Sequence, residues 1–577
     1  MTEASKRRWL AMPVKWVKIG FLLAYLACDH AAMAERVASL GLSAGLLLYI
    51  GLYAVLALCL GAAAFIPRTG LRFAMALVLV AASIALQSYE WATRHVLDYN
   101  AFETMLASRG DTGDALSQHG AVLWKSVPTA LLLLLGLILP PRGWRLPGWA
   151  AVGAPLAGLG LLSVMLYIRG GEGARALPAP FVPLAHASIL GAVSLTEAGQ
   201  ERQPVTLQPT QPRGDGDIVI LVDESVAANY LDINNAQGVR SGLKEARPGL
   251  AIHNYGIAAS VTNCSPGSNK TLRFGGTRDN YRLAARIWPS IWAYARKAGY
   301  RTVYMDGQRT GGELQNLATP EERAEIDDFI QLPDVPVRDR DMELARLVRA
   351  RIDNGVQELI YVNKVGGHFP VADKYPDSLM RYHPALERGA MADITDMGPV
   401  HADFDGNADY WRRYRNAYRN TMLWNTAAFF DRLLAGLDPS RAIILYTSDH
   451  GQDLHERGQE GKATHCINDP APEEGAVPLA VIDSAESPRL GWTESMKRNR
   501  DGMSHFRLFP TILTLMGYDS TALKANYGPT LIATDPDPMT FTINYFSALG
   551  KEPTWRRVVP ENLLKPPISD QGGPATQ

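Results

Sequence analysis

Residues 443–458 read IILYTSDHGQDLHERG, and Asp449 and His450 within them are the first place where side chains suited to chemistry stand together. A carboxylate beside a neutral imidazole is a good donor pair for a divalent metal such as zinc. The apolar run at 443–446, rich in β-branched and aromatic side chains, reads as a buried strand, so the pair sits at a strand's carboxyl end. In open α/β sheets ligands bind at that end. A helix N-cap is the competing reading, with Ser448 or Asp449 capping and His450 merely nearby.

Five other segments carry candidate groups. In VDES, Glu224 follows an apolar strand and could reach the same sheet edge as Asp449 and His450; a strand-end acid capping the next helix is the alternative. Strand alternation sends one of Asp223 and Glu224 away from such a site. In TNCSPGSNK, a Ser followed by Pro is a good helix start, with Ser265 as N-cap and Pro266 as first helical residue. A hydroxyl there lies in the positive end of the helix dipole, which stabilises an alkoxide and attracts phosphate or sulfate; an ordinary capped helix fits the same residues. In VGGHFP, His368 follows a strand, and two glycines allow close approach of backbone and ligand. THC brings His465, and MSHFRLFPTIL brings His505 ahead of an amphipathic helix. A lone histidine is more often a satisfied polar residue than a ligand, but three placed after strands or before helices reinforce one another.

The elements that must hold these groups alternate. Strands are expected at 218–222, 301–306, 358–363, 443–448 and 478–483, with helical patterns between, which predicts a mostly parallel sheet with helices on both faces.

The chain has 577 residues and a formal charge of -1, so nothing points to nucleic acid as a partner. Its near-zero mean hydropathy averages two unlike parts. Apolar stretches at 16–34, 42–66, 73–89, 121–139 and 149–168 are each near the roughly 20 residues that a helix needs to cross a bilayer, predicting five spans. The first, with Asp29 and His30 near its far end, also fits an interfacial helix. Lys6, Arg7, Arg8, Lys15 and Lys18 at the first span, Arg68 and Arg72 between the second and third, and Arg142 and Arg145 between the fourth and fifth would share the cytoplasmic side. Everything after Arg169 would then lie outside. Residues 91–120 suggest a short amphipathic helix at the membrane surface, or a solvated connector. Residues 171–214, rich in Gly, Pro, Gln and Thr, read as a linker, 215–550 as the exported domain and 551–577 as a loose tail. Of four cysteines, Cys264 and Cys466 fall in the exported part and permit one disulfide.

The order DES, a Cys-Ser-rich helix start, GGHFP, YTSDHG, HC with APEE and VPL, then SHFRLFPTIL resembles the alkaline-phosphatase and sulfatase superfamily. More narrowly, it is similar to the membrane phosphoethanolamine transferases that modify lipid A and other envelope glycans. SDHG with five companions in order is a specific signal, and the likeness extends from the first span to about residue 515. It implies an α-helical transmembrane domain of about five helices followed by an α/β alkaline phosphatase-like (sulfatase) domain with a mostly parallel central sheet. It implies a multi-pass protein of a bacterial inner membrane, its catalytic domain periplasmic. Glu224, Asp449 and His450 would bind zinc, one ion or two, together with the nucleophilic hydroxyl. His368 and His465 match histidines near the transferred phosphate, which hold a second metal or act as general acid. Asn100, Glu103 and Thr104 match the stretch that contacts the lipid donor, and His505 is grouped with the substrate contacts. The expected donor is phosphatidylethanolamine and the acceptor an envelope glycan or lipid A.

The sequence departs from the family's Cys-x-Thr-x-Thr, because alignment on Cys264 puts Pro266 at the attacking position. Ser265 is then the preferred nucleophile, with Ser268 and Thr271 following. Gln452 stands where a Glu is usual and Thr426 where an Asp is usual. The formylglycine motif of sulfatases, Cys-x-Pro-x-Arg, is broken by Ser268. If the segments of Ser265 and His465 meet, a disulfide between Cys264 and Cys466 is conceivable. Phosphoglycerol transfer, phosphodiester or sulfate-ester hydrolysis, and a non-catalytic descendant that binds lipid or glycan are the competing functions.

Overall fold

The computed structural model describes residues 14–93, 96–107, 112–141, 146–197, 201–212, 214–388, 408–457, 464–467, 469–543, 549 and 552–565. Lys6, Arg7, Arg8, Arg142 and Arg145 lie outside them. The chain divides into a mostly helical unit, most of the residues before Gln200, and a sheet-based unit from Gln200 onward.

The second unit is built on seven strands: β1 (Asp217–Asp223), β2 (Leu250–Ala259), β3 (Arg301–Asp306), β4 (Asp328–Gln331), β5 (Glu358–Asn363), β6 (Ala442–Ser448) and β7 (Ala476–Ser484), in the order β2-β7-β6-β1-β5-β3-β4. β1 pairs in parallel with β5 and β6, and β3 in parallel with β4 and β5, whereas β7 runs antiparallel to β6 and β2. The sheet is mostly parallel, as its alternating pattern predicts. β1, β5, β6 and β7 are buried along their whole length. Val219 and Leu221 of β1 pack with Met342, Leu344 and Tyr414 on one face, while Ile218, Ile220 and Val222 pack with Trp292, Phe509 and Ile512 on the other. Helices cover both faces, so central strands read as continuous apolar runs. The register matters most for function: Asp223 of β1 sits opposite Ser448 of β6. Glu224 and Asp449, the next residues in each strand's path, therefore emerge side by side.

β2 and β4 are both edge strands and escape the sequence pattern. β2 carries His253 and Asn254 with a register shift between Asn254 and Gly256, and β4 has only four residues, none fully buried.

In the helical unit all five apolar stretches are helical, and they differ in length and regularity. Ala44–Ala64, Thr69–Trp91 and Gly148–Ile168 are each long and apolar enough to cross a membrane. The first stretch breaks into Lys15–Ala27 and His30–Leu40, bent by 55°, at the residues that include Asp29. The fourth has an apolar part, Leu123–Ile138, that is short by itself and continues a helix starting at Thr112. Of the basic residues expected to share one side, Lys18 donates to the carbonyls of Leu137 (2.7 Å) and Leu139 (2.8 Å), and Arg72 to those of Ile138 (3.2 Å) and Ile66 (3.0 Å). Cations there satisfy carbonyls left over at a helix carboxyl end.

Within 91–120 a helix does form, Tyr99–Ala107, and its Tyr99 and Phe102 are buried in the unit's own core, near the His186 ring. The expected linker holds a helix, Val182–Glu197, whose Val182, Ala185 and Ile189 join that core. The start of the expected tail is ordered too: Trp555–Arg557 pairs with Thr540–Thr542, and Val558 and Leu563 are buried.

Candidate active site

Glu224, Asp449 and His450 converge at the carboxyl ends of β1 and β6, all buried, with one ligating atom from each within 4.8 Å of the others. Asp449 Oδ1 accepts from the backbone N–H of Ser225 (3.0 Å) and of His450 (2.7 Å). Ser225 has a φ of +59°, a left-handed conformation unusual for a residue with a side chain, and Tyr418 holds it there. The Tyr418 hydroxyl donates to the Ser225 carbonyl and accepts from the Ala227 N–H, both at 2.8 Å. The two glycines of VGGHFP serve the same turn. A Cβ at Gly366 would lie 2.7 Å from the Glu224 nitrogen, and one at Gly367 2.7 Å from the Tyr418 ring. They admit close approach of backbone to backbone, where the sequence suggested backbone to ligand. Asp223 points away, to Lys364 at 2.6 Å, as strand alternation requires.

The Ser265–Phe274 helix brings the hydroxyl. Cys264, in extended conformation, is its N-cap, so the helix starts one residue earlier than the Ser-Pro signal predicts, with Ser265 inside its first turn. Ser265 Oγ donates to Glu224 Oε1 at 2.8 Å and lies 3.1 Å from His450 Nε2. The other hydroxyls are engaged elsewhere. Ser268 Oγ is 3.2 Å from both the N–H and the carbonyl of Thr262, and Thr271 donates to the Gly267 carbonyl at 3.0 Å. Cys264 and Cys466 form a disulfide with Cα atoms 4.9 Å apart, tying this helix start to the residue after His465.

His465 stacks on His450, with ring centroids 4.6 Å apart. His368 is buried, with its Nδ1 2.6 Å from the Phe369 carbonyl. His505 Nε2 is 2.8 Å from Thr447 Oγ1 on β6, and burial pushes its pKa down to about 3. Asn100 and Glu103 lie on the Tyr99–Ala107 helix of the other unit, as does the backbone of Thr104. Gln452 is buried and donates to the Gly367 carbonyl at 3.3 Å, and Thr426 sits in a π-helical turn, 423–428. Sequence reasoning missed Asn269, which donates to Asp449 Oδ2 at 3.3 Å and to the Ser265 carbonyl at 3.1 Å. It also missed Gln308, which donates to Glu224 Oε2 at 3.2 Å. An Asn one turn along the candidate helix and a polar residue just past a strand end were the available signals.

The donor set fits a divalent cation. His450 Nδ1 lies 2.7 Å from the Gly451 carbonyl, which makes it the donor and turns Nε2 toward Glu224 Oε1 at 3.2 Å and Asp449 Oδ2 at 3.9 Å. Such a partner fixes the tautomer that leaves Nε2 free to ligate. Lone pairs then face lone pairs in a buried site, an arrangement that needs a positive charge between them. Without a metal that charge falls to a proton. Burial disfavours the charged imidazole, but Asp449 and Glu224 outweigh it and hold the His450 pKa up to about 9. Burial, and then the charge on Glu224, push Asp449 well above the carboxylate range; Glu224, despite its own burial, is held well below it by His450. Two carboxylates and one imidazole, with the hydroxyl of Ser265 beside them, suit a divalent metal ion.

The Sulfatase family description matches residues 217–518, more than half of the chain. Among solved structures, the integral membrane lipooligosaccharide phosphoethanolamine transferase A of Neisseria meningitidis is similar, with a TM-score of 0.63 and 17% identity over 88% of this chain and 95% of that one. The zinc complex of the C-terminal periplasmic domain of EcEptC from Escherichia coli aligns with a TM-score of 0.47 and 15% identity, over 64% of this chain and 99% of that one. No curated protein matches. At 17% identity the first of these speaks for the fold alone. The matched residues run from β1 past His505 and take in Glu224, Ser265, His368, Asp449, His450 and His465, and on that match the chain belongs to the sulfatase family.

Proposed function

We propose that this protein transfers phosphoethanolamine from a phospholipid, phosphatidylethanolamine, to a hydroxyl or phosphate of an envelope glycan or lipid A, through a covalent intermediate on Ser265. The observation that carries the reading is the Ser265 hydroxyl, 2.8 Å from Glu224 Oε1 and 3.1 Å from His450 Nε2 in the first turn of a ten-residue helix. Glu224, Asp449 and His450 would hold zinc. When bound, zinc supplies positive charge that lowers the hydroxyl's pKa and stabilises charge on the phosphoryl oxygens. Ser265 Oγ, its proton already lost to solvent, forms a bond to phosphorus as the bond from phosphorus to the diacylglycerol oxygen breaks, and that oxygen takes a proton from His368 or His465. The acceptor hydroxyl then gives its proton to that histidine as its oxygen attacks the phosphoserine, and Ser265 leaves as the alkoxide. The N-terminus of the Ser265 helix favours negative charge at this point.

Asn100, Glu103 and Thr104 are assigned to the lipid donor, and the apolar helices to a multi-pass anchor in the inner membrane that keeps the active domain in the periplasm. The full-length likeness to a lipooligosaccharide phosphoethanolamine transferase supports this substrate class. Pro266 at the expected attacking position favours a non-catalytic descendant, but the hydroxyl one residue earlier supplies what proline lacks. The test is intact-protein mass spectrometry after incubation with phosphatidylethanolamine. A phosphoethanolamine adduct mapped to the peptide containing Ser265 is expected; an adduct on another residue moves the nucleophile, and turnover with no adduct overturns the two-step reading.

A further inference from the structure

We infer that Gln308 is a positioning residue that makes Glu224 a one-oxygen ligand. The inference rests on the metal-centre reading above. Gln308 lies just past β3, two strands from β1, and its side-chain amide nitrogen donates to Glu224 Oε2 at 3.2 Å and to the Lys364 carbonyl at 2.8 Å. Both partners are acceptors, so the orientation of the amide is set and both of its N–H bonds are used. The contacts of Glu224 divide accordingly. Oε2 takes Gln308, while Oε1 takes the hydroxyls of Ser265 (2.8 Å) and Ser225 (2.9 Å) and faces His450 Nε2 at 3.2 Å. One oxygen is tethered and the other is presented.

The fold holds Gln308 itself from both sides. Its N–H is bonded to Asp306 Oδ1 at 2.9 Å, and its carbonyl accepts from Arg340 at 3.2 Å, the same guanidinium nitrogen that reaches the Gly307 carbonyl at 3.1 Å. Asp306 is held in turn by Gln315 (2.8 Å) and Asn363 (3.2 Å). Gln308 is buried, and Gly307 before it is closely packed, since a Cβ there would lie 3.0 Å from a Leu344 methyl. This much buried polar structure around one amide is what orienting a ligand requires, because a carboxylate free to rotate would meet a metal with either oxygen.

The test uses the full-length chain in detergent, stripped of metal, with zinc affinity read by competition against a chromophoric chelator, the cobalt(II) absorption spectrum, and melting of the metal-free protein. The variants are Gln308→Met, which keeps the size and loses the donors, Gln308→Ala, and Glu224→Gln as control. Both Gln308 variants are expected to bind zinc about tenfold to a hundredfold more weakly, with an altered cobalt spectrum and little change in metal-free melting. Lower melting with zinc affinity and cobalt spectrum unmoved would mean a purely structural glutamine and overturn the inference. Wild-type zinc binding by both Gln308 variants while Glu224→Gln loses zinc overturns it and leaves the metal centre standing. Wild-type binding by Glu224→Gln removes the metal centre and the inference together.

Discussion

Asp223 and Glu224 are neighbours in sequence and equally buried, yet they serve two regions with opposite electrostatic logic. Asp223 meets a cation that is part of the chain. Lys364 Nζ is 2.6 Å from its Oδ1, donates to the Asn425 carbonyl at 2.7 Å and lies 3.9 Å from both Asp341 and the Phe429 ring centroid. The second Asp223 oxygen accepts from Tyr446 at 2.8 Å. Asp341 in turn accepts from the backbone N–H groups of Val365 (2.8 Å) and Gly366 (3.0 Å), which carry the loop to His368. Glu224 has no lysine or arginine beside it among the described residues. Its side-chain partners there include Ser225, Ser265, Asp449, Gln308 and His450, whose ring is a cation only while protonated. A buried carboxylate whose counter-charge is covalently present is structural, whereas a set of converging lone pairs left to recruit one is a site for an exchangeable ion.

Four experiments would break or sharpen that contrast. The largest effect is expected from Ser265→Ala, which should lower transfer by about a thousandfold or more while zinc content stays unchanged. Ser268→Ala, which loses a hydroxyl spent on the Thr262 backbone, should stay within about tenfold of wild type. A reversed ranking would move the chemistry along the helix. Next, Glu224→Gln should weaken zinc binding by about a hundredfold or more, and Asp223→Asn by less than about tenfold; equal losses in the chelator competition would erase the distinction between the two acids. Lys364→Met should lower stability by about 3–5 kcal/mol, because it leaves Asp223 and Asp341 buried without a counter-charge; an unshifted denaturation midpoint would mean that the pair is idle.

The smallest effect concerns Asp217, at the opposite end of β1. Burial pushes its pKa up to about 7, against about 3.9 in an unfolded chain. The folded protein then binds more protons between these values, so this group's contribution to stability is full below about 4 and lost as pH rises through about 7. Asp217→Asn should flatten that part of the stability curve, and melting across this range that falls as steeply as in wild type would show that the titration lies elsewhere.

The central strands were legible because burial on both faces writes them as unbroken apolar runs, and β1, β3, β5, β6 and β7 all fall where that pattern predicts. Edge strands β2 and β4 lack it. The Val182–Glu197 helix was hidden inside a stretch flanked by Gly, Pro and Gln, since composition there looks like linker while local packing against the helical unit decides otherwise. Strand positions left a capping acid open at Glu224 and a helix cap open at Asp449 and His450, and the resemblance supplied the ligand set. Nothing in SHFRLFPTIL says that the His505 ring turns to Thr447. The one-residue error at the Ser265 helix has a similar origin, since Cys264 acts as N-cap without a side-chain capping bond to announce it.

Sequence alone determined the apolar periods, the acids and imidazoles that follow them and the order in which they occur, because strand and helix patterns arise from neighbours a few residues apart. Tertiary structure decided which hydroxyl faces the ligands, which oxygen of Glu224 is presented, and that Cys264 meets Cys466 across 202 residues. Those choices depend on strand register and on hydrogen bonds such as Ser225 to Asp449, which join groups 224 positions apart that only the closed sheet brings within reach.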